Sequence, residues 1–317
     1  MCHHPARVKI LLATAVALAL AAIGGVATAA AAAPECFGAA ARDPRHPCTN
    51  PTLAVTPAPE AVDDERGVGC YKGGVSGPAT CRFGAPKRKA KRHFAVVGDS
   101  HVYHWRAALA GIGKVKRWHG TSLTMGGCFF SAAAKYMYPG AREPCTEWYR
   151  SVLEWFRDHH EVSTVFVTQN ADTPILPPAG KTSGAIKVAG FQRAWRALPK
   201  TVKQIVVIRD NPKASATSLA CVGSVIAAGN EAPGPACPTP RWFGLRRDMA
   251  VVAAKALRSK RYQHVDLTHY FCSSRDCWPV IGGVLVNTDQ WGHLTLTYSR
   301  TLAPYMLRKL RPLMRSW

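Results

Sequence analysis

A chain of 317 residues, 47% of them hydrophobic, can build one sizeable α/β domain plus an extension, which excludes wholesale disorder. Its 41 Lys+Arg against 19 Asp+Glu give a formal net charge of +22. The densest basic run, residues 87–92, has no interleaved aromatic residue on which bases could stack, so a nucleic-acid partner is not expected.

At the N-terminus, Arg7 and Lys9 precede an apolar stretch from Ile10 to about Val26, and an alanine-rich run follows to Ala33. Basic, apolar and small-residue regions in that order read as a secretory leader over residues 1–33, cleaved near its end. An uncleaved anchor is the alternative, because the apolar run approaches the length of a bilayer span. No later stretch is apolar for long enough to span one. Residues 34–92 are rich in Pro, Gly and Ala and show little periodicity, so they read as a loop-rich extension ending in the basic linker. Apart from Cys2 in the leader, ten cysteines remain: Cys36, Cys48, Cys70, Cys81, Cys128, Cys145, Cys221, Cys237, Cys272 and Cys277. Their separations fall into five neighbouring pairs, which in an oxidising compartment read as disulfides. Zinc is the competing reading, but no Cys-x-x-Cys pair is present. For an exported, cationic protein the expected partners are anionic wall polymers or phospholipid headgroups.

From residue 93 onward, short apolar runs alternate with helix-length amphipathic segments. Strands are expected at 94–97, 122–125, 164–168, 204–208 and 264–267, and helices at 102–111, 146–159, 188–198, 242–259 and 294–310. Strands that are apolar throughout, each followed by a helix, predict a parallel sheet covered on both faces. Chemistry in such sheets collects at the carboxyl ends of the strands.

The first of these strands runs into Gly98-Asp99-Ser100-His101 and then a helix. Ser100 would stand at the helix N-terminus, where unpaired amides favour negative charge and could stabilise an oxyanion. Asp and Ser are equally ordinary helix caps. A serine hydroxyl needs a base, and Asn287-Thr-Asp289-Gln-Trp-Gly-His293-Leu-Thr295 offers an Asp and a His on one loop before the last helix. Trp105, Trp148, Trp155 and Trp195 occupy helical positions and are expected in the core, whereas Trp291 sits in the His293 loop and could stack on a sugar ring. His101 could contact substrate or cap the turn. Asp210 and Asn211 face the same crevice from a strand end, and Pro212 behind them suggests a turn.

This constellation resembles the SGNH (GDSL-like) hydrolases, and more closely the extracytoplasmic SGNH domains fused to acyltransferase-3 membrane proteins. Four stretches carry the resemblance: Val97-Gly-Asp-Ser-His101, Met125-Gly-Gly-Cys128, Val207-Ile-Arg-Asp-Asn-Pro212, and Asp266-Leu-Thr with Cys272, Cys277, Asp289 and His293-Leu-Thr295. The resemblance spans roughly residues 93–310. It implies a three-layer α/β/α sandwich around a five-stranded parallel flavodoxin-like sheet, and ester chemistry on acyl groups, commonly acetyl groups of glycans. It assigns Ser100 as nucleophile, His293 as base and Asp289 as its orienting partner. The oxyanion donors would be the amides of Ser100 and Gly127 and the side chain of Asn170. No metal or organic cofactor is implied. One departure stands out: the family usually places the Asp three residues before the His, whereas Asp289 is four before His293. The extra residue could bulge harmlessly or swing Asp289 away. The expected activity is that of an exported esterase. The alternatives are an O-acyltransferase working beside a separate membrane acyl donor, and an inactive wall-binding protein of the same fold.

Overall fold

The apolar runs read from the sequence pair into one sheet. In the computed structural model, residues 33–70, 78–229 and 233–316 are described, and the expected leader lies outside them except for Ala33. Six strands form the sheet: β1 (Thr80–Gly84), β2 (Arg92–Gly98), β3 (Trp118–Thr124), β4 (Val162–Thr168), β5 (Gln204–Ile208) and β6 (Tyr262–Val265). Their spatial order is β1-β3-β2-β4-β5-β6. The five expected strands are all parallel neighbours. The sixth, β1, comes from the extension and pairs antiparallel with β3, making the sheet mixed rather than purely parallel.

The helices that position the site are α1 (His101–Lys116), α2 (Pro139–Asp158), α3 (Ser183–Arg196), α4 (Ala216–Ala227), α5 (Met249–Ala256) and α6 (Leu296–Leu310). Alternation along β2 sorts the two cores. Phe94 and Val96 face α1 and α6 through Trp105, Leu109, Leu302 and Met306. Ala95 and Val97 face α2, α3 and α5 through Val152, Phe191, Trp195 and Ala253. Both faces of the central strands are therefore apolar, as a doubly covered sheet requires. Trp105, Trp148 and Trp195 are buried in these cores.

The single helix expected over 242–259 is split. A short turn, Arg241–Gly244, ends before α5 begins. The cause is Asp248, whose carboxylate accepts the N–H groups of Ala250 and Val251 and so caps a new helix. Helix α4 is absent from the expected set, and packs outside the two main cores against Cys237, Val280 and Leu285.

All five neighbouring cysteine pairs are bonded: Cys36–Cys48, Cys70–Cys81, Cys128–Cys145, Cys221–Cys237 and Cys272–Cys277. No described helix is long and apolar enough to cross a membrane.

Candidate active site

Strands β2, β3 and β4 end in register, with Gly98 opposite both Thr124 and Thr168. The segments that follow them, around Ser100, Gly127 and Asn170, therefore open side by side at one edge of the sheet. Gly98 has φ +156°, and a Cβ there would strike the Thr168 carbonyl. Only glycine lets the chain turn at this point while β4 stays this close. Asp99 is buried beneath the turn. Its carboxylate accepts the His101 N–H at 2.9 Å and the Asn170 N–H at 2.8 Å, tying the Ser100 turn to the neighbouring loop.

Ser100 occupies the N-cap position of α1 without a side-chain capping bond, and its Oγ lies 2.8 Å from Nε2 of His293. On the other side of that ring, Nδ1 donates to Asp289 Oδ2 at 2.7 Å. The loop between Asp289 and His293 is compact. Asp289 Oδ1 accepts the N–H groups of Trp291 and His293, and Thr288 N–H donates to the His293 carbonyl. The extra residue is absorbed at Gly292, whose φ of +92° a side chain would strain. Asp289 is thus turned toward His293 rather than away from it. Burial alone would raise the Asp289 carboxyl, but the hydrogen bond and charge of His293 and two backbone amides outweigh it and hold the group below its usual value.

The remaining candidates fall at different distances from this trio. Gly127 lies in a turn closed by the Cys128 N–H to the Met125 carbonyl, and Cys128–Cys145 ties that turn to α2. Asn170 donates one side-chain N–H to the Trp291 carbonyl at 3.2 Å, and its Oδ1 accepts from Asp172 N–H. Its NH₂ carries a second hydrogen that can serve an oxyanion. Trp291, within the Asp289–His293 loop, is 63% exposed.

His101 is not at the cleft surface. Its ring is 1% exposed and hydrogen-bonds through Nδ1 to Asp210 Oδ1 at 2.6 Å, so a direct contact with substrate is not available to it. The other oxygen of Asp210 accepts the Ala171 N–H at 2.7 Å. Burial opposes charge on His101, but Asp210 and Asp99 more than compensate, and its pKa is pushed up to about 9. Further from the cleft, burial and the proximity of Asp210 push Asp248 up to about 6.

A cleft of about 160 Å³ opens over Ser100 and His293, lined by these two with Arg66, Gly67, Tyr103 and His104. Tyr103 and His104 stand three and four residues after Ser100 on α1, a helical spacing from which their presence could have been read. Arg66 and Gly67 come from the extension and carry no such signal. Arg66 Nη1 donates to Asp289 Oδ2 at 3.3 Å.

A family model described as SGNH domain (fused to AT3 domains) matches residues 69–308. Among solved structures, the periplasmic domain of the lipopolysaccharide acetyltransferase of Salmonella ser. Paratyphi A superposes with a TM-score of 0.50 at 14% sequence identity. That match covers 72% of this chain and 85% of that one, and shows a likeness of fold. No curated protein sequence matches the chain.

Proposed function

The chain belongs to the family of SGNH domains fused to acyltransferase-3 (AT3) domains, and from that premise we propose that it is an exported serine esterase cleaving O-acyl, chiefly O-acetyl, esters of cell-envelope glycans. The observation that carries this reading is the unbroken relay from Ser100 Oγ through His293 to Asp289, with spacings of 2.8 and 2.7 Å. Five disulfides support an oxidising, extracytoplasmic setting.

In this mechanism His293 Nε2 takes the Ser100 proton as Oγ attacks the ester carbonyl. Asp289 holds the Nδ1–H tautomer and stabilises the imidazolium that forms. The tetrahedral oxyanion is held by the N–H groups of Ser100 and Gly127 and by the second N–H of Asn170. Collapse breaks the ester bond, and His293 returns the proton to the departing sugar hydroxyl. Water, deprotonated in turn by His293, attacks the acyl-serine; the acyl–Oγ bond breaks, His293 returns the proton to Ser100 Oγ, and the carboxylic acid leaves. Trp291 stacks on the sugar, and the cationic surface holds the anionic polymer that bears it.

A second reading, O-acyl transfer, is favoured by the family's fusion to AT3 domains and by the structural neighbour, which is the periplasmic domain of an acetyltransferase. It differs only in the final acceptor, a sugar hydroxyl supplied beside a separate membrane acyl donor in place of water.

A fluorophosphonate probe is expected to label Ser100 in the oxidised protein and to fail in Ser100→Ala. Acetate release from acetylated wall polysaccharide should fall by about 10³-fold or more in the same variant. Undiminished turnover by Ser100→Ala would reject Ser100 as the nucleophile, and a wild-type protein that neither labels nor releases acetate would leave a binding protein. Acetylated acceptor sugar forming in place of free acetate would favour transfer.

A further inference from the structure

We propose that His104 and Asn211 act as a positioning pair for His293, gripping the residue on either side of it and so setting the reach of its Nε2 to the Ser100 hydroxyl. This rests on Ser100 and His293 being nucleophile and base.

The pair closes a ring of hydrogen bonds around the His293 backbone. On one side, Asn211 Nδ2 donates to the Gly292 carbonyl at 2.7 Å. On the other, the Leu294 N–H donates to His104 Nδ1 at 3.2 Å. His104 Nε2 and Asn211 Oδ1 join the two halves at 3.0 Å. His293 is thus the one residue between two clamped neighbours.

The protonation state follows from the partners. Nδ1 of His104 accepts an amide hydrogen, so it is bare and the ring proton must be on Nε2, donating to Asn211 Oδ1. Asn211 is oriented independently, because its Nδ2 faces two carbonyls, those of Pro212 at 3.2 Å and Gly292. Burial, with the neighbouring His101 and His293, holds His104 well below the usual histidine range. The ring therefore stays neutral, and this tautomer persists. Both side chains are buried, 1% exposed for His104 and 6% for Asn211, and every polar atom of each has a partner. A fully satisfied buried network of this kind is stiff.

The anchors of the pair are the two elements the chemistry depends on. His104 lies one turn after Ser100 on α1, and its carbonyl accepts the Ser299 hydroxyl of α6 at 2.6 Å. Asn211 follows the carboxyl end of β5. The helix that presents the nucleophile thereby also holds the loop that presents the base, so the two move as one body.

The test is made on the full-length, oxidised protein. Asn211→Ala and His104→Ala are each expected to lower kcat about 10- to 100-fold with KM changed less than about 3-fold, since a misplacement near 1 Å costs rate rather than binding. Fluorophosphonate labelling of Ser100 should slow by the same factor. Because the two act as a unit, the double variant should be no slower than the worse single variant. His104→Asn, which returns an acceptor to the Leu294 N–H, should recover part of the loss. Folded single variants with wild-type kcat, or losses that multiply in the double variant, would reduce the pair to ordinary packing. Imidazole ¹⁵N shifts of the wild-type protein provide a test needing no substitution. They should show His104 neutral with its proton on Nε2 from pH 5 to 9, and a titrating ring or a proton on Nδ1 would overturn the proposal. If Ser100→Ala is inactive while these shifts disagree, the clamp alone fails. Full activity of Ser100→Ala would instead remove the serine reading beneath it.

Discussion

At the scale of single residues, the site shows what a motif reveals and what it conceals. Ser100 and His293 are legible as partners because each stands where a parallel sheet collects chemistry: one after a strand, the other on a loop before the last helix. His101 is adjacent to Ser100 in sequence, but its ring is buried, 5.2 Å from the His293 ring between centroids and bound to Asp210. A helix's first residues point wherever the strand ends offer partners, and the partner here, Asp210, is 109 residues away. No local pattern encodes that pairing. It has a measurable consequence. The folded pKa of His101 is raised to about 9, above the unfolded value near 6.5, so the folded state binds the proton more tightly. Its contribution to stability is full below about pH 6.5 and is lost as pH rises through about 9. Urea unfolding between pH 6 and 10 should show this loss in the wild type. Asp210→Asn, which removes the charge but can still hydrogen-bond, should be less stable at neutral pH by a few kcal/mol, the order expected for breaking a buried ion pair. Its stability should also stay flatter above pH 7. An equally steep alkaline decline in both proteins would show that the pair is not its source.

At the scale of elements, the extension departs furthest from its sequence reading. Composition marks residues 34–92 as loops, and most of the described ones are. Their irregular backbone is nevertheless fixed from outside. Arg308 of α6 forks onto Asp43 at 2.7 and 3.0 Å, the Thr56 N–H donates to the Gly283 carbonyl, and Thr80–Gly84 is drawn into the sheet by β3. A loop anchored by hydrogen bonds to distant partners has no periodicity from which to read them. Two adjacent residues reach the site itself. Arg66 meets Asp289, and Glu65 accepts the Thr297 N–H at 2.6 Å and the Thr297 hydroxyl at 2.9 Å. The Glu65 carboxylate therefore sits at the N-terminus of α6, where the helix dipole favours it. This helix starts three residues after His293. Glu65→Ala should cost about 1–2 kcal/mol in urea unfolding, the worth of charge-assisted bonds at a helix start. It should also lower kcat several-fold, because the end of the helix that fixes the His293 loop loses its outer support. Unchanged stability and rate would make the extension a cover with no part in the site.

At the scale of the whole molecule, the net charge of +22 has no counterpart in the proposed relay, which is built from Ser100, His293 and Asp289. Surplus charge of one sign acts over distance, concentrating polymers of opposite sign near the surface and raising their encounter rate. Such attraction is screened by salt, with a Debye length of about 10 Å at 0.1 M and about 3 Å at 1 M. The proposed relay is made of contacts at 2.7 and 2.8 Å between partly buried side chains, which salt screens less than long-range attraction. Binding and chemistry should therefore separate cleanly on an ionic-strength axis. Between about 0.05 and 0.5 M NaCl, kcat/KM on an acetylated anionic wall polymer should fall about 10-fold or more, through KM. On a small neutral acetyl ester it should change less than about 2-fold. A parallel fall on both substrates would place the salt effect in the site and leave the basic surface without a role in substrate capture. A constant kcat/KM on both would show that the polymer is held by the neutral sugar contacts around Trp291 rather than by charge.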